Sequence, residues 1–231
     1  MRSCKFGQYD ETSKESIYDY SLLLLNTSLQ ELYPKEIELL PKEYKNPKGK
    51  GALGCLVEKL HFNYEPNDRP EPDFPTAKLE LKTTPLKVVR NLYVSKERLV
   101  LGMIDYEKVC NETFNYSSFL KKNSSLLLLF FLYEKNKITE QVFKIIKIWD
   151  IPEKDLVVLK QDWETICQKI KNGKAHELSG SDTFYLEAAR KGAGKGRDLR
   201  TQPYSDVKAN RRAFAFKSKY VNVIIKGWKQ L

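Results

Sequence analysis

A chain of 231 residues with 41% hydrophobic content can bury a real core as one domain. An excess of 40 Lys and Arg over 30 Asp and Glu gives a formal charge of +10 and a pI near 9.2, which favours a polyanionic partner, either nucleic acid or an anionic membrane surface. The longest uninterrupted apolar run, Leu126 to Tyr133, is far short of the roughly 20 residues of a membrane-spanning helix, and the polar stretch up to Ser16 carries no secretory-type apolar segment, so a cytoplasmic protein without a membrane span is expected.

The first element reads as one helix from about Ser16 to Tyr33, because Ile17, Tyr20, Leu24, Leu25, Leu29 and Leu32 recur at three- and four-residue steps and Pro34 stops continuation. A polar segment, Pro41 to Gly51, leads to a second helix with Leu53, Leu56, Val57 and Leu60 on one face and Glu58 off it. Pro66, Pro70, Pro72 and Pro75 then break regular structure before a short alternating strand, Lys78 to Lys82. Tyr93 to Val109 fits strand or helix and is read as strand, with a core over Arg98 to Ile104. Leu126 to Tyr133 reads as a strand buried on both faces, turning through Glu134 to Lys137 into a second strand that ends near Trp149; together they form the middle of a mixed sheet. Trp163, Ile166, Cys167 and Ile170 repeat at helical spacing, and Gly173 is placed to end that helix. Ala188 to Lys219 carries ten Lys or Arg against Asp198 and Asp206 alone, interrupted by Gly192, Gly194 and Gly196, and reads as a basic segment with a flexible loop.

Cys4, Cys55, Cys110 and Cys167 have no close pair and only His61 and His176 to join them, which argues against a zinc site, a disulfide framework or a Cys/His catalytic pair. Both histidines read as packing or capping residues rather than general bases.

The stretch from Glu71 to Lys82 places Pro72-Asp73 a short turn before Glu80-Leu81-Lys82. Side chains alternate along a strand, so Glu80 and Lys82 share one face while Leu79 and Leu81 anchor the other. A hard cation then fits between Asp73 and Glu80, with the Leu81 carbonyl as a further ligand, and Mg²⁺ is the expected cofactor because it takes oxygen donors and keeps room for a phosphate and a water. Lys82 is placed to orient that water. The plain alternative is that Lys78, Glu80 and Lys82 are the wet face of an amphipathic strand.

The run from Lys50 to Glu58, followed by Asp73-Phe74-Pro75 and by Glu80 through Pro85, resembles the MutH family and the related Type II restriction enzymes that cut at GATC, within the PD-(D/E)xK nucleases. The likeness continues through Ser95 to Leu99, Asp162-Trp163-Glu164, Gly173 to Leu178, Tyr185-Leu186 and Gln202 to Asp206, and these later segments resemble the restriction branch more closely. The resemblance implies an α/β (α+β) fold with a mixed sheet flanked by helices. It further implies one catalytic domain over 1–231, with a helical part at about 1–48 and a DNA-reading part at about 188–231. Asp73, Glu80 and Lys82 match the family's catalytic aspartate, glutamate and lysine, Glu58 an additional acidic residue, and Lys122 a further active-site lysine.

The implied activity is Mg²⁺-dependent cleavage of double-stranded DNA on the 5′ side of the G in GATC by a Type II restriction endonuclease or its catalytic domain. A MutH-like nickase activated by a partner and a DNA-binding protein without catalysis are the alternatives. The partner expectation is duplex DNA, with a regulatory DNA-binding domain in a longer parent chain or dimerisation on DNA. Lys191 matches a base-reading lysine of MutH-like proteins, and Arg190 stands in for an arginine replaced here by Ala189. Arg200 and Gln202 suit bidentate readout of G and A, whereas Lys195, Arg197, Arg211, Arg212, Lys217 and Lys219 suit phosphates.

Overall fold

The computed structural model describes residues 1–41, 51–67, 69–135, 138–192 and 198–228. The chain divides into two compact units, one of residues 1–96 and 124–150, the other of residues 97–123 and 151–231. Helices combined with a mixed sheet bear out the α/β (α+β) class. No helix among the described residues is long and apolar enough to cross a membrane.

The first unit opens with a hairpin of β1 (Arg2–Cys4) and β2 (Gly7–Tyr9). The single helix expected over Ser16 to Tyr33 is instead α1 (Lys14–Ser21), a 3₁₀ turn over Leu22–Leu24, and the short helix α2 (Leu29–Leu32). The break lies at Asn26, which adopts φ +62° and donates its N–H to the Phe143 carbonyl. Ser28 and Glu31 then form a reciprocal capping box that starts α2 afresh. Pro34 does not end a helix; it opens α3 (Pro34–Leu39), in a first-turn position where its missing N–H costs nothing.

Positions 42–50 of the expected polar segment lie outside the described residues. Helix α4 (Ala52–Leu56) runs directly into a π-turn over Val57–His61. The expected short strand is longer, β3 (Glu80–Val89), and it returns as β4 (Leu92–Ser95) through Arg90 and Asn91, both in the left-handed region. That geometry suits a two-residue hairpin turn. β6 (Ser125–Leu132) and β7 (Val142–Asp150) complete a sheet of order β4-β3-β6-β7, in which β3 and β6 are parallel and the other pairs antiparallel. The apolar run therefore sits mid-sheet, as expected. Leu127, Leu129 and Phe131 of β6 join Leu81, Ile146, Ile17, Leu24, Leu53 and Leu56 in one core. Each such fully buried aliphatic side chain contributes on the order of 1.5–3 kcal/mol.

In the second unit, the segment read as one strand over Tyr93 to Val109 supplies β5 (Leu99–Met103) and the short helix α5 (Tyr106–Val109), started by the Asp105 side chain. Helix α6 (Ser118–Asn123) follows. Helix α7 (Glu153–Lys171) buries Leu159, Trp163, Ile166 and Ile170 at helical spacing, and Gly173 beyond it adopts φ +68°, as its place in the sequence predicts. The Asp162 carboxylate on α7 accepts the N–H groups of Phe184, Tyr185 and Leu186 at 2.6–2.8 Å, which fixes the start of β8 (Leu186–Arg190). In the basic segment, positions 193–197 of the expected glycine loop lie outside the described residues. The described part forms β8, β9 (Leu199–Gln202), β10 (Ser205–Asn210) and β11 (Arg212–Phe216), the last lying between β5 and β8, before α8 (Ser218–Gly227).

His61, at the end of the π-turn, is a packing residue: its ring bonds the Tyr33 hydroxyl at 2.7 Å and the Tyr20 carbonyl at 3.0 Å with no exposed surface. Burial lowers its pKa to about 4. The unfolded chain therefore takes up a proton between pH 6.5 and 4 that the folded chain refuses, so this contribution is complete above pH 6.5 and lost as the pH falls. Between pH 7 and pH 5 it should remove about 2 kcal/mol of unfolding free energy. Urea denaturation across that range checks the value, and His61→Gln should flatten the slope; an unchanged slope contradicts the assignment.

Candidate active site

The site is made by a tight turn. Phe74 and Leu79 exchange backbone hydrogen bonds at 3.0 and 3.2 Å across Pro75–Lys78, with Lys78 at φ +52° closing the turn. The next residues outward are Asp73 and Glu80. The Asp73 N–H donates to Glu80 Oε2 at 3.0 Å, and the Leu81 N–H donates to Asp73 Oδ2 at 2.9 Å. Lys82, two residues along β3 and on the same side as Glu80, pairs through Nζ with Glu80 Oε1. The acid, acid and lysine singled out in the sequence thus meet in one bonded cluster. Glu80 is only 1% exposed, so its carboxylate depends on these partners for its charge.

Glu58 reaches the same neighbourhood by a different route. It lies on the π-turn, a form of helix often found at functional sites. Helix α4 approaches β3 so closely that a Cβ on Gly54 would stand 3.2 Å from Thr83 Oγ1. Leaving the π-turn, the chain donates the Tyr64 N–H to the Glu58 carbonyl at 3.0 Å, and the Tyr64 ring meets Phe74 edge-on with centroids 5.8 Å apart. The Tyr64 hydroxyl is buried and has no hydrogen-bond partner among the described residues. Burial first, then the negative charges of Asp73, Glu58 and Glu80, push its ionisation far above the ordinary tyrosine value. The three carboxylates therefore act on one phenol.

Among the described residues no set of three His, Cys, Asp or Glu side chains is gathered to hold a metal ion. Two carboxylates and a backbone carbonyl nevertheless suit Mg²⁺, which keeps several waters and completes its shell with substrate phosphate. The described residues offer Asp73 Oδ1 no hydrogen bond, so one oxygen of this pair is uncommitted.

Tyr64 is not marked by the sequence because it lies in the proline-rich connection, where no periodicity points to a half-buried ring with a buried hydroxyl. Lys122, carried over by resemblance, occupies the last turn of α6 in the second unit and is half-buried.

The expected DNA-reading residues divide sharply. Gln202 is buried: its Oε1 accepts the Ala175 N–H at 2.7 Å, and its Nε2 bonds His176 Nδ1 at 2.9 Å and the Val207 carbonyl. Arg212 is buried too, and its guanidinium donates to the carbonyls of Ala188, at 2.7 Å, and Leu178. Lys217 donates to the Gly180 carbonyl at 2.6 Å and to that of Thr183. These three side chains tie loops together through carbonyl and amide partners within the unit. Arg190, Arg200, Arg211 and Lys219 are exposed and Lys191 is half-buried, with Arg190 held on both Asp198 oxygens at 3.0 and 3.3 Å. Lys195 and Arg197 lie outside the described residues.

Residues 62–162, which include Asp73, Glu80, Lys82 and Lys122, match the family model described as DNA mismatch repair enzyme MutH. That segment is similar to the MutH family. The chain is 45% identical over 181 residues to the Type II restriction enzyme Sau3AI of Staphylococcus aureus, an alignment covering 77% of this chain and 37% of that enzyme. It is 30% identical over 149 residues to the DNA mismatch repair protein MutH of Shewanella woodyi, covering 62% of this chain and 61% of that protein. The alignments therefore span 37% of the first of these relatives and 61% of the second. Glu58 lies just outside the segment matched to the MutH family, whereas the turn from Asp73 to Lys82 lies wholly within it.

The close approach of α4 to β3 is testable. Gly54→Val should lower stability by about 1–3 kcal/mol, the usual cost of forcing a larger side chain into a filled contact. Urea denaturation checks it, and a variant as stable as the parent would show that the approach carries no constraint.

Proposed function

We propose that this chain is the catalytic region of a Type II restriction endonuclease that hydrolyses duplex DNA at GATC on the 5′ side of the G, with Mg²⁺ as cofactor. The observation that carries the reading is the cluster of Asp73, Glu80 and Lys82 around one turn. Higher identity to Sau3AI than to MutH supports the restriction branch, and the charge of +10 supports a polyanionic substrate.

Asp73 and Glu80, with the Leu81 carbonyl, would hold the cation. When bound, it supplies charge stabilisation for the attacked phosphate and lowers the pKa of water. Lys82 pairs with Glu80 through its ammonium group. The Lys82 ammonium then orients the attacking water and offsets charge developing on the phosphoryl oxygens. Glu58 adds negative potential that favours cation uptake. Among the described residues, Arg200, Arg211 and Lys219 are exposed side chains that would meet DNA, with Lys191 beside them, and Arg190 would join them by exchanging Asp198 for phosphate or base.

A MutH-like nickase is a second reading, favoured by the family match over 62–162. One experiment addresses both: incubation of the protein and Mg²⁺ with plasmids differing only in GATC sites. The restriction reading expects double-strand ends at GATC without a partner; nicking that needs a MutL-type protein favours the second. Lys82→Ala should slow cleavage roughly 10²–10⁴-fold with DNA binding retained. Undiminished cleavage by that variant removes the mechanism.

A further inference from the structure

Among the described residues the Tyr64 hydroxyl has no hydrogen-bond partner, yet the ring that carries it is held firmly. Phe74 meets the ring edge-on at 5.8 Å, the Arg2 guanidinium lies 4.7 Å from its centroid, and Arg2 is itself paired with Glu11 at 2.5 Å. The backbone is fixed as well, by the N–H bonded to the Glu58 carbonyl. Phenylalanine at this position would make the same ring contacts without a buried orphan oxygen, as Phe62 and Phe74 do next door at 5.3 Å. A buried polar atom left without a partner needs a physical explanation, a water or an ion among them.

The identity of that ligand follows from the neighbours. Glu58 precedes Tyr64 on the π-turn, and Phe74, against which the ring packs, adjoins Asp73, whose N–H is bonded to Glu80. All three carboxylates act on the phenol, and it hydrogen-bonds to none of them. A carboxylate only accepts hydrogen bonds, whereas a phenol both donates and accepts. Mg²⁺ keeps several waters when two carboxylates bind it, and groups beyond the direct ligands orient that shell.

We propose that Tyr64 is a positioning residue whose hydroxyl hydrogen-bonds to the hydration shell of the divalent cation held by Asp73 and Glu80. This rests on the cation-dependent reading given above and assigns its shell a protein contact beyond the direct ligands. The phenol oxygen accepts from a water of the shell, so it acts on cation affinity without touching the cation.

The test is a Mn²⁺ titration read by water-proton relaxation, in the absence of DNA, on the parent protein, Tyr64→Phe and Asp73→Asn, with urea denaturation of each in EDTA. Tyr64→Phe should be at least as stable as the parent in EDTA and should bind Mn²⁺ about 10-fold more weakly. Asp73→Asn should weaken binding more. Parent-like affinity in Tyr64→Phe beside a weakened Asp73→Asn overturns the role of Tyr64 and leaves the cation site standing. Parent-like affinity in Asp73→Asn removes the cation site, and the proposal with it. Loss of stability by Tyr64→Phe in EDTA would mark the hydroxyl as a structural group and also overturns the proposal.

Discussion

One buried charge governs the site: the Glu80 carboxylate at the first residue of a mid-sheet strand. An ionised carboxylate in such a place is costly unless hydrogen bonds and a counter-charge surround it. The turn from Asp73 supplies an N–H to one oxygen, and Lys82 supplies an ammonium to the other. Asp73 in turn is fixed by the Leu81 N–H, so acid, turn and strand lock one another. The Glu80 charge is thereby offset within the turn and strand themselves.

The surrounding fold holds that geometry by crowding. The parallel register of Glu80 with Leu126 and Lys82 with Leu128 sets β3 against the most apolar strand of the chain. On the face away from Glu80, Leu79 and Leu81 enter the core with Leu127 and Leu129, which prevents a one-residue slip from turning the acids inward. Gly54 lets α4 come close to β3, and the π-turn after it brings Glu58 within electrostatic reach of Tyr64. In the second unit the long cations and amides do structural work at Gln202, Arg212 and Lys217, so a smaller exposed set carries the positive face.

Much of this was legible in the sequence where a single physical signal dominated. The run from Leu126 to Leu132 can only be buried, the spacing of Trp163, Ile166 and Ile170 is helical, and Asp73, Glu80 and Lys82 stand at a distance a short turn bridges. Elsewhere a local signal yielded to a tertiary one. Helical spacing ran unbroken across Asn26, but pairing with Phe143 and the Ser28 capping box divided the segment. Residue type suggested DNA contacts for Gln202, Arg212 and Lys217, whereas the carbonyl groups they bond are brought near only by folding. Tyr64 lay in a proline-rich stretch with no period to report its buried hydroxyl.

The central claim is that Asp73 and Glu80 converge on one divalent ion. Anomalous diffraction from crystals of the protein soaked in Mn²⁺ tests it most directly. The account predicts a peak bonded to both carboxylates at about 2.0–2.6 Å. Well-ordered Mn²⁺ elsewhere in the molecule, with Glu80 still held by Lys82 and Asp73 bonded to no ion, would contradict it.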